Sequence, residues 1–356
     1  MFNRFARVSA VALLAFSAQA AVLRQPLVSK PFFNPSLGQS ISLAFELADA
    51  AAVTARVLDR DGFPVRTLTR AKSLGVGRHH LVWDGRNDAG VVVPNEAWSF
   101  RLDVVSNGAT ETYFPADRAV EMVQIKDVTY DRRGALLRYT LPRDSRVHLQ
   151  AGVASTNPRT KVVTGPVLKT VVDREPRVAG AVIEHWNGHD ESGTIAVPDL
   201  PNFVVAVATT PLPENSIITV GSRGEPFIET VASRKGASLF AARDTSHRHH
   251  QGLTALQDVT PPLDVIVSKT GRDFVLKCGV TGPAAVPFTK MGGQVMLFVD
   301  GLLVRKKAAG PAAFRFSLEA DELTPGPHVV AVNWVTPNGP TAANAARVVA
   351  SSSTAR

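Results

Sequence analysis

Short stretches in which apolar and polar residues alternate dominate the chain. Ile41, Leu43 and Phe45 are separated by Ser42 and Ala44, and Val53, Ala55 and Val57 by Thr54 and Arg56. A period of two places one set of side chains on a buried face and the other in solvent, which is the pattern of a half-buried β-strand. Hardly any segment sustains the 3.6-residue apolar period of an amphipathic helix. Gly, Pro, Asn and Asp break the runs every 8 to 12 residues or so, as in sandwiches of about 100 residues. Asp61-Gly62 and Asp300-Gly301 supply the strongest hairpin signals, because glycine accepts the positive φ that tight turns require. The chain therefore predicts an all-β protein.

The pattern also repeats. Trp83-Asp84-Gly85-Arg86-Asn87-Asp88-Ala89-Gly90 and Trp186-Asn187-Gly188-His189-Asp190-Glu191-Ser192-Gly193 spell the same turn 103 positions apart. Gly77 and Gly180 keep that offset upstream, and Pro94 and Pro198 extend it downstream with one residue inserted. Further upstream, residues 43–47 answer residues 137–141 at an offset of 94, so an insertion falls within 155–166. A period near 100 residues marks duplicated domains; solenoids and propellers repeat every 20 to 50 or so. The expected organisation is a first sandwich over 24–116, a divergent second copy over 121–221, a linker over 222–258 and a third, Ig-like sandwich over 259–351. In both copies the tryptophan (Trp83, Trp186) is expected to pack under its turn, shaped by Asp84 and Gly85 or by Asn187 and Gly188.

The first repeat resembles the Ig-like domain of the flagellar hook-capping (FlgD-like) family. The resemblance rests on Asn34-Pro35, the strand pattern of residues 41–47, the hairpin of 57–62, the segment 77–85 with His79, and Asp88 to Gly90. It implies a building and contact module with no active site to carry over. Repeat two fits more loosely, since Asn187 stands where the family has Asp.

Arg4 and Arg7 precede a short apolar run ending in Ala18-Gln19-Ala20, the form of a secretory signal peptide over residues 1–20. That run is about half the roughly 20 residues a membrane span needs, and no later segment is long and apolar enough to span. The expected location is the periplasm, the cell surface or the medium. The formal charge of +8 is spread among acids with no basic stripe interleaved with aromatics, so nucleic-acid binding finds no support, while an anionic surface remains open as a partner. Cys278 is the single cysteine, on the apolar face of a strand pattern, so no internal disulfide forms and stability must come from packed cores.

Candidate chemistry is sparse. His247, His249 and His250 form the densest set of metal-type ligands, and Asp84, Asn87 and Asp88 offer oxygens suited to calcium; bonding to their own turn is the competing role for these three. No nucleophile elbow and no His-Glu-x-x-His pattern occurs. No cofactor is expected. The linker carries Arg234, Lys235, Arg243 and Arg248, which suit a protein partner in the envelope or outside the cell. These features point to an exported, non-enzymatic binding, scaffolding or accessory subunit. Two readings compete with it: a metal-binding or redox-accessory protein using the histidine cluster, and a carbohydrate-binding module.

Overall fold

The computed structural model describes residues 21–117, 122–156, 163–233, 255–337 and 339–351. The chain is all-β, a tandem array of three Ig-like sandwiches.

In the first sandwich a three-stranded sheet, in the order Leu23–Val28, Ile41–Leu47, Gly77–Trp83, faces a larger one. The larger sheet runs Phe32–Phe33, Ile217–Thr219, Ala97–Ser106, Ala51–Leu58, Pro64–Leu74. The alternation read in the sequence is realised: Ile41, Leu43, Phe45 and Leu47 are buried, and the residues between them are half-exposed. They meet Val53, Ala55, Val57, Phe100, Leu102 and Val104 of the opposing sheet.

The second sandwich repeats the plan. Thr129–Asp131, Leu136–Leu141 and Gly180–His185 cover Val167–Arg177, Ser145–Val153, Phe203–Pro211 and Val123–Ile125. Register shows why the two offsets differ. Leu47 pairs with Gly77 in the first copy, and Leu141 pairs with Gly180 in the second. The extra residues between them include a small hairpin of Ser155–Thr156 with Val163–Thr164, inside the span where the insertion was expected.

In the third sandwich, Leu263–Thr270, Asp273–Val280 and Ala313–Leu318 face Leu302–Ala308, Gln294–Val299, Gly326–Val335 and Thr341–Ala350. Asp300 and Gly301 both have positive φ (48° and 84°), the conformation a two-residue hairpin needs to match strand twist.

The sandwiches are interleaved. Strand Ile217–Thr219, placed by the sequence in the second module, lies in the first module's large sheet, parallel to Phe32–Phe33 and antiparallel to Ala97–Ser106. The second module is thus a loop out of the first and back. The ends of the 222–258 segment, expected to be a linker, also return: Phe227 and Val231 of helix Phe227–Ala232, and Ala255 of helix Ala255–Asp258, are buried in the first module's core. An apolar face is why they leave solvent. Residues 234–254, between the two helices, lie outside the described residues. The third sandwich packs on the second through Phe298, Ala331 and Ala345. There the Asn333 side chain accepts from Val167 N at 2.9 Å and donates to Val167 O at 2.8 Å, standing in for a strand.

Candidate functional site: a cleft lined by buried ion pairs

The repeated turns place their side chains alike. Trp83 is fully buried and Trp186 nearly so. The Trp83 indole donates to Arg86 O at 2.9 Å and the Trp186 indole to His189 O at 2.8 Å, which ties each ring to its own turn. Asp84 Oδ1 accepts from Arg86 N and Asn187 Oδ1 from His189 N. Gly85 and Gly188 take φ of 73° and 83°, and a Cβ at Gly85 would collide with Pro35. Around Trp83 lie Phe33 and Trp98, and around Trp186 lie Tyr130 and Phe203.

The turn oxygens considered for calcium serve the backbone. Asn87 Oδ1 accepts from Ala89 N and Val91 N, and Asp88 Oδ1 from Thr67 N. Among the described residues no group of three or more His, Cys, Asp or Glu is placed to hold a metal ion. His247, His249, His250, Arg234, Lys235, Arg243 and Arg248 lie outside the described residues. Burial pushes the Cys278 thiol up to about 12, which leaves it protonated and inert.

The described ends of the 222–258 segment border a cleft of about 540 Å³ between the first two sandwiches, lined by Arg60, Glu96, Asp173, Arg174, Arg177 and Phe227 among others. Its floor is a run of buried charges. Asp59 Oδ1 accepts from Asp61 N and Phe63 N, tightening the first module's hairpin turn and leaving Arg60 buried with its guanidinium 5.6 Å from the Phe227 ring centroid. Arg60 lies 3.7 Å from Glu96 and 3.8 Å from Asp258. Glu96 also pairs with Arg146 of the second module, and Asp258 with Arg174 at 2.8 Å. Arg174 and His148 meet Asp173 at 3.0 and 3.2 Å.

Local backbone explains Arg174. The register slips from Val147↔Glu175 to His148↔Asp173, so Arg174 is the extra residue of a β-bulge, with φ 57°. Bulges re-aim a side chain, and this one directs Arg174 to Asp258 instead of along the pleat.

Electrostatics follow from dehydration. Burial alone pushes the Asp173 carboxyl up, but the hydrogen bond from His148 and the charge of Arg174 hold it below the usual carboxylate range. Burial lowers Arg146, with the neighbouring Arg60 charge acting the same way against Glu96; an arginine stays charged under such a shift. Asp173 also accepts from Thr260 N at 2.6 Å, and Asp61 from Ala255 N at 2.8 Å. The network therefore clamps the 255–260 segment between two modules. Chemically it is an array of mutually neutralised charges, suited to holding geometry.

The sequence reading passed over these residues, because isolated charges within strand patterns read as solvent-facing. The available signals were Arg60 between two aspartates in a tight turn, and Arg146 inside the apolar strand Ser145–Val153.

No protein-family model matches the chain, and no curated protein matches it either. Among solved structures it is similar to a tetra-tandem repeat in the extending region of a large adhesion protein, with 13% identity, 93% of this chain and 74% of that chain covered, and a TM-score of 0.21. It is also similar to a Ca²⁺-stabilized adhesin with which an Antarctic bacterium binds ice (11% identity, 92% and 74% covered, TM-score 0.18). A third is a bacterial ice-binding adhesin of 1.5 MDa (8% identity, 92% and 97% covered, TM-score 0.18). All three are adhesins, two of them ice-binding. The cleft and its charges rest on the chain's own geometry. No helix among the described residues is long and apolar enough to cross a membrane.

Proposed function

We propose that the chain is an exported, non-catalytic binding or scaffolding subunit of a cell-envelope or extracellular assembly. In this reading residues 1–20 are the export signal, and the first two sandwiches are hook-cap-type Ig-like modules that set the spacing of contact surfaces. The 222–258 segment makes the partner contact, through Arg234, Lys235, Arg243 and Arg248.

One observation carries the reading. Helices Phe227–Ala232 and Ala255–Asp258 lie against each other in the first module's core, and the buried charges clamp the second of them. The two described flanks of the basic segment 234–254 are therefore held side by side. Long connections between packed elements bind more often than they pack, and arginine-rich ones favour acidic partners. Fixed by two modules, such a connection meets its partner at a lower entropic cost than a free linker.

The test is a pull-down from the native envelope, comparing the parent with a variant in which residues 234–254 are replaced by Gly/Ser of equal length. Loss of the partner with all three sandwiches folded is the expected result. Unchanged recovery would move the contact to the sandwich loops and edges.

A further inference from the structure

The outer face of the third sandwich's three-stranded sheet carries charge that its neighbours do not neutralise. Register sets Ile266 opposite Lys277 and Lys277 opposite Arg315, so the three lie side by side across Leu263–Thr270, Asp273–Val280 and Ala313–Leu318. Alternation turns them outward, since Leu276, Cys278 and Phe316 point into the core. Like charges directly opposite each other destabilise a sheet.

Lys307 adds a third cation from the edge strand Leu302–Ala308. Its ammonium sits 4.5 Å from the Phe316 ring centroid and 5.7 Å from that of Phe314, and it donates to Arg315 O at 2.6 Å. The ring faces and that carbonyl hold the charge beside Arg315. Most of the module's acids are engaged elsewhere: Glu322 with Arg305, Asp321 with Arg272, Asp300 with His328, Asp273 with Ala320 N, and Glu319 with Glu322 N in a capping box. Asp264 shares the face one row away, opposite Gly279. Among the described residues no ion pair joins Lys277, Arg315 or Lys307 to any acid.

We propose that this face binds a linear acidic polysaccharide whose carboxylates lie along the row Lys277, Arg315, Lys307. Lys277 and Arg315 stand on neighbouring strands about 4.8 Å apart, and the Lys307 ammonium reaches the Arg315 backbone from the edge of the facing sheet, so an extended polyanion lying across the face meets the two outward cations in turn and the third at the sheet's edge. A protein partner would draw most of its energy from side chains packed in desolvated pockets, and Lys277 and Arg315 stand on an exposed sheet face. Single-stranded nucleic acid would require open aromatic faces for stacking, and Lys307 covers Phe314 and Phe316. What is left is neutralisation of charge, which releases counterions and weakens steeply with salt. The choice of a glycan over other polyanions rests on the exported location proposed above. The face itself is remote in sequence from the 222–258 segment and independent of its partner.

The experiment applies the purified mature chain to immobilised polygalacturonate and follows affinity against salt. Lys277→Ser with Arg315→Ser is compared with Arg70→Ser with Lys72→Ser, which removes equal charge from exposed positions of the first sandwich. Lys307 is left in place because it also covers the edge of the core. By analogy with phosphate polymers, losing two contacts should lower the log–log salt slope by about 1.4 to 1.8. The first pair is expected to show that drop and the control pair to keep the parent slope. An equal drop in both pairs, or no retention of the parent, overturns the proposal. Soluble polyphosphate or polyglutamate displacing the chain better than polygalacturonate overturns the glycan assignment. Edman sequencing reads export separately: an N-terminus at Met1 in a chain that still binds refutes the location and leaves the face standing.

Discussion

Replacing Glu96 by alanine removes the acid that holds two buried guanidinium groups from different modules. Arg60 and Arg146 are 7% and 8% exposed, so water cannot take over as partner. Breaking one side of a buried pair costs about 3 to 5 kcal/mol, because the remaining charge is stranded without solvent. Arg60 keeps Asp258 and the nearby Asp61. The loss therefore falls mainly on Arg146, which otherwise donates to Arg174 O at 3.5 Å, and the expected cost is about 3 kcal/mol. The solvent-exposed pair of Arg132 with Asp199 is the internal standard, and Arg132→Ala should cost at most about 1 kcal/mol. Glu96→Leu with Arg146→Met deletes both charges and should recover most of the parent's stability. Urea unfolding followed by tryptophan fluorescence reads this directly, since Trp83 and Trp98 lie in the first module and Trp186 in the second. Both transitions should move to lower urea in Glu96→Ala, because the acid and its arginine belong to different modules. If Glu96→Ala unfolds like Arg132→Ala, the pair is solvated and does not lock the modules.

Trp83→Ala and Trp186→Ala should each destabilise their own sandwich by about 3 to 5 kcal/mol, as large-to-small core changes do; a variant that melts like the parent would mean that ring is not a core element. His328 supplies a pH-dependent contribution. Its ring nitrogens face the Thr324 carbonyl at 2.7 Å and the Asp300 carboxylate at 2.6 Å, so only the imidazolium donates to both, and these two bonds raise its pKa. A raised folded value means this stability is fully present below the ordinary imidazole pKa of about 6.5 and is lost as pH rises through the folded value. Thermal melts across that range should show the third module weakening with rising pH, and His328→Gln should flatten the slope; an unaltered slope assigns it to other groups.

Much of the fold was legible because the responsible forces are local. Alternation in residues 41–47 and 274–278 buries one face, and the positive φ at Gly62, Gly85 and Gly301 is what those turns require of glycine. What escaped is set by contacts distant in sequence. Ile217–Thr219 is buried on every side and shows no period, and its sheet partners lie more than 100 positions upstream. The floor of the cleft escaped for a related reason. A charged residue is by default exposed, and Arg60, Glu96, Arg146 and Asp258 become interior only once one module has docked on another.

The return of Ile217–Thr219 also sets the order in which a growing chain can fold. Domains generally form as units during synthesis, those nearest the N-terminus first. Here the first sandwich is interrupted: its large sheet has no partner for Phe32–Phe33 until residues 217–219 have emerged, and its core awaits Phe227, Val231 and Ala255. The second sandwich by then has all its strands, its core awaiting only the cover of Phe298, Ala331 and Ala345 from the third. The earliest-made module is thus completed after the one inside it. Until then, Ala109–Tyr113 covers only residues 102–106 on that side, and the Ala97–Trp98 end is an open strand edge, the feature that makes a truncated nascent chain prone to aggregation.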